Sequence, residues 1–260
     1  MKSFRRAFIC ELIKALHSKV TLLVAVAASI GPLVSGVFML ILKNPEQARE
    51  MGIIGTKARL AGSADWQSLL GMLMQTTIAG SVIFAFMMAW IFGREFSDRT
   101  TRLWLAVPTP RSAVVAAKLI VSSGWSAILV VWMFLLGVIM GFIVDIPGFS
   151  EGALLDAAIS VAVTGLMTIA LLLPVAFIAS IGRGYLSALG YALLTLAIAQ
   201  IAGALGWGAV IPWSVPALYC GAAGSSKDLL GVESYIIVAL TSLAGLIGTL
   251  IWWKQADQTR

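Results

Sequence analysis

The densest polar stretch of the chain is GREFSDRTTRLWLAVPTPRS at 93–112, set between two long apolar runs. Arg94, Glu95, Asp98, Arg99, Arg102 and Arg111 put both signs of charge on it. Such a segment can dock a partner, but it lacks the parts for catalysis. General acid–base or nucleophilic chemistry needs a nucleophile within reach of an oriented base. The chain has one histidine, His17, and two scattered cysteines, Cys10 and Cys220. It has no H-E-x-x-H or G-x-S-x-G signature and no G-x-x-x-x-G-K-[ST] phosphate loop. One His and two Cys cannot build a zinc site. The expectation is therefore no enzyme, no metal and no cofactor held by this chain.

A second polar set lies inside the apolar runs: Gln75, Thr76, Thr77, Thr164, Thr168, Thr195 and Gln200. These uncharged groups can line a route for an amphipathic cargo, Gln75, Thr76, Thr195 and Gln200 being the candidates, or bond helix to helix. An ion-coupled carrier needs ionisable groups within its spans. Here Asp145, Asp156 and Glu233 fall near span ends, and none is expected deep in a span. Uphill transport would then draw on a separate ATPase docked at 93–112. The alternative is a solvated loop whose charges only set orientation.

The elements that must position these residues follow from composition. Of 260 residues 60% are hydrophobic and 12% charged, with a mean hydropathy of +0.97. A water-soluble fold of this size cannot hide that much apolar surface. Spans of about 20 apolar residues can. The fold class expected is an all-α membrane protein forming a single transmembrane domain over 1–260. Six spans are expected at about 20–42, 69–92, 116–143, 153–181, 185–206 and 232–253. Gly31-Pro32 predicts a kink in the first and Pro174 falls inside the fourth. Residues 111–144 are helix-compatible throughout, so Lys118 would mark an overhang of the third span. Gly137 and Gly141 offer a small-xxx-small face for another helix.

Phe4, Phe8, Ile9, Leu12, Ile13 and Leu16 recur at helical spacing and predict an amphipathic interfacial helix ahead of the first span. Glu11, Lys14, His17 and Lys19 interrupt what would otherwise be a signal-peptide core. Residues 207–231 are apolar yet rich in Gly and Pro, which predicts short external or re-entrant helical pieces. Trp252 and Trp253 read as an interfacial belt.

Lys43, Arg49, Lys57, Arg59 and Lys227 fall on one side of this layout, leaving 13 of the 18 Lys and Arg on the side of the termini. Basic residues mark the cytoplasmic side, so both termini are expected inside. The same placement explains the net charge of +6 without nucleic acid.

The run REFSDRTTRLWLAVPTPRSAVVAAK at 94–118 resembles the segment after the second span of ABC-2 type permeases. That family repeats E-x-x-x-x-T, then L-x-x-P, a nearby Arg and a Lys about seven residues on, here Glu95, Thr100, Leu105, Pro108, Arg111 and Lys118. Family members often carry Gly before the Thr; this chain has Arg99. SIGRGYLSALGYALLTL from Ser180 is similar to the family's turn between spans four and five. IPWSVPALY from Ile211 is similar to the external segment of the bacitracin- and lantibiotic-export branch.

The resemblance implies a permease of a bacterial plasma-membrane exporter, working as a homo- or heterodimer with two ATP-binding subunits that hold ATP and Mg. It implies a coupling helix over 94–105 seated on the ATPase. Arg94, Glu95, Ser97, Asp98, Arg99, Thr100 and Arg102 would provide its polar contacts, Phe96 and Trp104 its apolar anchors, and Pro108 its stop. The first, second and fifth spans would lie near the dimer axis. Cargo identity stays open among a peptide antibiotic, a lipid-linked compound, another hydrophobic drug and a polysaccharide; the expectation is an amphipathic peptide or drug, because the sequence shows none of the soluble parts of a polymer exporter. Competing readings are a regulatory membrane subunit without its own route, and an intramembrane enzyme.

Overall fold

A backbone in lipid has no water to bond, so each span must close its hydrogen bonds within a helix. The computed structural model, which describes residues 2–44, 63–98, 110–222 and 229–255, follows that rule: no described residue is in a strand. Among the described residues, six helices are long and apolar enough to cross a membrane.

Helix α1 spans Lys2–Leu16 and α2 spans Lys19–Lys43. Ser18 caps α2 by accepting from Val20 N, and Thr21 Oγ1 donates to Ala15 O at 2.6 Å, which fixes the elbow between them. The helix is continuous through Gly31-Pro32, the place of the expected kink. The room left by Gly31 is taken by Thr76, which would stand 3.2 Å from a Cβ there.

The second span runs Trp66–Ser97, five residues beyond its expected end. It divides at Gly80 into α3 (Trp66–Ala79) and α4 (Ser81–Ser97). Asp65 caps α3, accepting from Ser68 N at 2.7 Å and from the Ser63 hydroxyl. Those bonds, Ser63 first, hold its carboxyl below the usual range, keeping a negative charge at a helix N-terminus.

The third span is a single helix, α5, from Arg111 to Val144. At 1.5 Å per residue its 34 residues reach roughly 50 Å, longer than a hydrocarbon core. The fourth span is α6 (Glu151–Ala170) and α7 (Leu173–Ile181). Pro174 lacks an N–H and its ring would strike the carbonyl of Ala170, so the helix breaks where α6 ends. Helix α8 covers Tyr185–Ala204. A 3-10 turn at Gly208–Val210 and the short helix α9 (Val215–Tyr219) are short helical pieces between α8 and the last span, α10 (Val232–Gln255).

Lipid tails are as apolar as leucine, so close packing of small residues must hold the bundle together. Helix α8 turns Ala188, Ala192, Thr195, Ala199 and Ala202 inward and leaves Leu186, Leu193 and Ile201 exposed. Gly137 and Gly141 form the expected small face of α5: Leu73 of α3 lies in the space at Gly137, and Leu69 and Trp66 in that at Gly141. Gly245 of α10 sits directly on the Leu173–Pro174 backbone.

At one end of the bundle α1, the end of α4, the start of α5, the α7–α8 turn and the end of α10 meet. Trp253 is buried there rather than set in an interfacial belt, and Trp252 is half-buried. At the opposite end Lys43 Nζ donates to Val144 O and Asp145 O, closing the C-terminus of α5.

Candidate functional site

The last turn of α4 carries Arg94, Glu95, Phe96 and Ser97, with Asp98 as its C-cap. Two neighbouring helices place charges against it. On α1 the protein-facing stripe is Ala7, Glu11 and Ala15, one residue per turn. Two small residues flanking an acid let the helix lie close enough for Glu11 to reach inward. On α5, Lys118 sits two turns from the start and is fully buried.

Together these groups make a closed ring. Lys118 Nζ lies 3.2 Å from Glu11 Oε2 and 3.0 Å from Glu95 Oε1. Lys14 Nζ lies 2.7 Å from Glu11 Oε1 and 3.1 Å from Glu95 Oε1. Lys118 also donates to Ile91 O at 3.1 Å. Two carboxylates and two ammoniums balance, which is what permits four charges to leave water together. Lys14 is 29% exposed, so the ring touches solvent at that corner alone; the other three side chains are exposed by 3% or less.

Around the ring, Arg94 Cζ stands 4.6 Å above the Trp90 ring, a cation–π contact. Phe96 packs edge-on to Trp252 and against Trp253, both at 5.9 Å between centroids. Gly93 allows the Gly184–Tyr185 backbone to pass against α4, where any Cβ would collide. Ser97 and Asp98 are exposed.

A cleft opens farther along α4, between the Gly80 break, the α6–α7 break, α8 and α9. Its part nearer the breaks is lined by Ser81, Ala85, Thr168, Leu172 and Thr195, with a volume of about 40 Å³. Its part nearer α9 is lined by Gln200, Gly203, Ser214 and Ala217, with about 200 Å³. Ile78, Leu196 and Trp213 border both. Thr195 and Thr168 donate to carbonyls of their own helices, at Ala192 and Thr164, which leaves their oxygens able to accept. Ser81 Oγ is buried in this wall without a hydrogen-bond partner among the described residues.

A family model described as ABC-2 family transporter protein matches residues 7–199, close to three quarters of the chain. The chain belongs to the ABC-2 transporter family. It is 23% identical over 181 residues to the bacitracin transport permease protein BCRB of Bacillus licheniformis, covering 69% of this chain and 86% of that one. Family and fold together make it a multi-pass permease subunit of an ABC exporter, a class that associates with an ABC ATP-binding subunit.

The expected coupling residues of this ABC-2 permease divide into groups. Arg99, Thr100, Arg102, Trp104 and Pro108 lie outside the described residues. Glu95, expected on the partner-facing surface, turns inward to the two lysines instead. Phe96 anchors to the tryptophans of α10, not outward. Of the described set, Ser97 and Asp98 face outward, and Arg94 is half-buried on Trp90.

The route candidates separate too. Thr195 and Gln200 share the cleft; Thr76 packs at Gly31 of α2, and Gln75 is exposed on α3. Lys118, expected on an overhang of the third span, lies two turns from the start of α5 and is enclosed by the ring. Glu11 and Lys14 were readable as an i, i+3 pair. What reveals their role is Lys118, a cation inside an apolar helix that demands a partner.

Proposed function

We propose that this permease couples ATP hydrolysis by a separate ATP-binding subunit to export of an amphipathic or hydrophobic cargo, a peptide antibiotic such as bacitracin or a hydrophobic drug. Its place is a bacterial plasma membrane, with both termini and the Glu95 end on the cytoplasmic side, where 13 of 18 Lys and Arg fall. Two permease copies or paralogues form the pathway, and α1 rests on anionic lipid through Ile9, Ile13 and Leu16, which are exposed on the side away from the bundle.

The supporting observation is the course of α4. It begins at Ser81 in the cleft wall and ends at Ser97, capped by Asp98 on the exposed face, an unbroken helix of 17 residues, roughly 25 Å. A displacement delivered at Asp98 by the ATP-binding subunit therefore arrives at the cleft without an intervening hinge. ATP can drive export in this way only if nucleotide favours one of two permease states over the other.

The test is co-expression with the ATPase encoded beside the gene, extraction in mild detergent, and assay of the eluted complex. Because Glu95 is inside the bundle, the informative substitution is at the exposed surface, Asp98→Lys. The reading holds if the subunits elute together with ATPase activity and Asp98→Lys weakens that association. A chain that elutes alone against every candidate ATPase overturns it.

A further inference from the structure

The ring of Glu11, Lys14, Glu95 and Lys118 joins three helices that are remote in sequence. Its composition is a poor choice for stability alone. A buried ion pair contributes no more than well-packed apolar residues of the same volume, because desolvation consumes the Coulomb attraction. What ions can do that a leucine cluster cannot is change partner. Each lysine already touches both carboxylates, at 2.7–3.2 Å. Small displacements of α4 against α1 or α5 therefore lengthen one pair while shortening another, and no charge is stranded. Lys118 keeps its bond to Ile91 O as well, a backbone tie to α4 one turn before Glu95.

The position is as telling as the chemistry. Glu95 lies three residues before Asp98, the exposed C-cap of α4, within the proposed docking segment. Glu11 and Lys14 carry α1, and Lys118 carries α5, whose far end is clamped to α2 by Lys43. We infer that the ring transmits movement of the α4 end to α1 and α5, with Lys118 as the positioning residue at its centre. On this account α1 is a moving part of the permease, tied in through Glu11 and Lys14. The inference rests on the proposed ATP-driven reading, since it says where that movement goes after α4.

The test uses the full permease with its ATP-binding subunit in liposomes. The reporter is Cys10, exposed on α1, labelled with a maleimide before and after trapping with ATP and vanadate. Two charge-balanced variants each leave one ion pair intact: Glu11→Gln with Lys14→Met unties α1 and keeps Lys118–Glu95, while Glu11→Gln with Lys118→Met unties α5 and keeps Lys14–Glu95. With the ring intact, trapping should change the labelling rate by about fivefold or more, a usual size for coupling between sites. In the variant that unties α1 the ratio should fall to near one while hydrolysis stays within about twofold, and in the variant that keeps Lys14–Glu95 it should be retained at least in part. A ratio equal to that of the intact ring in the variant that unties α1 overturns the inference. So does failure of both to fold, which would make the ring a requirement of the structure only. If the intact complex itself shows no nucleotide response, the ATP-driven reading fails instead, and that arm is read before the variants.

Discussion

Trp253 Nε1 donates to Ser180 Oγ at 2.9 Å, and both residues are buried where α10 meets the end of α7. Ser180 Oγ donates in turn to Ala176 O at 2.8 Å, so the indole completes a short chain of bonds within the bundle. Trp253→Phe keeps an aromatic against Phe96 but removes the bond that the Ser180 oxygen accepts. Losing one buried bond of this kind costs about 1–2 kcal/mol. The expected outcome is a fall of several degrees in the melting temperature of the detergent-solubilised protein. An unchanged melting temperature would mean that the bond adds nothing there.

Gly245 and Gly190 form a sharper contrast. A Cβ at Gly245 would enter the Leu173–Pro174 backbone, which cannot rotate aside, whereas nothing lies within 4 Å of one at Gly190. Gly245→Ala should therefore force α10 away from α7, costing about 1–3 kcal/mol or more. Gly190→Ala should be neutral or slightly stabilising, because glycine in a helix interior costs about 0.5–1 kcal/mol relative to alanine. Fluorescence-detected size exclusion during a temperature ramp would rank the two. Equal behaviour would refute the close approach of α10 to Pro174.

These contacts also mark what the sequence could and could not disclose. Six spans were legible because bilayer thickness imposes a length that hydropathy alone reports. Pro174 lay within the fourth span and the break occurs beside it, since a missing N–H is a local matter. The Gly80 break was not legible: IAGSV is as compatible with a continuous helix as with a turn. The destination of a charge was not legible either. Glu95 and Asp98 sit three residues apart in one polar run, yet one is sealed against Lys118 and the other faces outward. Their difference is decided by Lys14 on α1, 81 residues away, together with Lys118, and no local pattern encodes that meeting. Trp252 and Trp253 had the composition of an interfacial belt, but the hydroxyl of Ser180 claims the second of them.

The two cysteines give a direct check of the layout. Cys10 is exposed on α1, while Cys220 is buried beyond α9, where burial pushes its thiol pKa up. A thiol with a raised pKa is still protonated at pH 7–8 and reacts slowly, because the thiolate is the nucleophile. Maleimide treatment of the folded protein should therefore add one label, at Cys10, and a second only after denaturation, as read by intact mass. With a membrane-impermeant reagent, Cys10 should react in inside-out vesicles and not in right-side-out ones. The reverse pattern would place the ring end outside and overturn the proposed orientation.

The cleft can be tested by filling it and by opening it. Thr195 sits halfway along α8 in the narrower part of the cleft, whose volume of about 40 Å³ is small enough for a leucine side chain to fill. Thr195→Leu should close that part while adding only apolar atoms to an apolar wall. Trp213 borders both parts and is held edge-on to Tyr191 at 5.9 Å. Trp213→Ala should widen the cleft and remove an aromatic surface on which an amphipathic molecule can lie. A shape change of one or two carbons in an apolar site shifts recognition by about tenfold or more. With bacitracin as the probe, Thr195→Leu should raise the concentration needed to stimulate ATP hydrolysis by about that factor. Hydrolysis without probe should be unaltered, because Arg94 and Asp98 are untouched. Gln75→Leu, outside the cleft, serves as the comparison and should leave stimulation unchanged. If Gln75→Leu abolishes stimulation and Thr195→Leu does not, the route lies on the α2–α3 side of the bundle, and the cleft is only packing space between the broken helices.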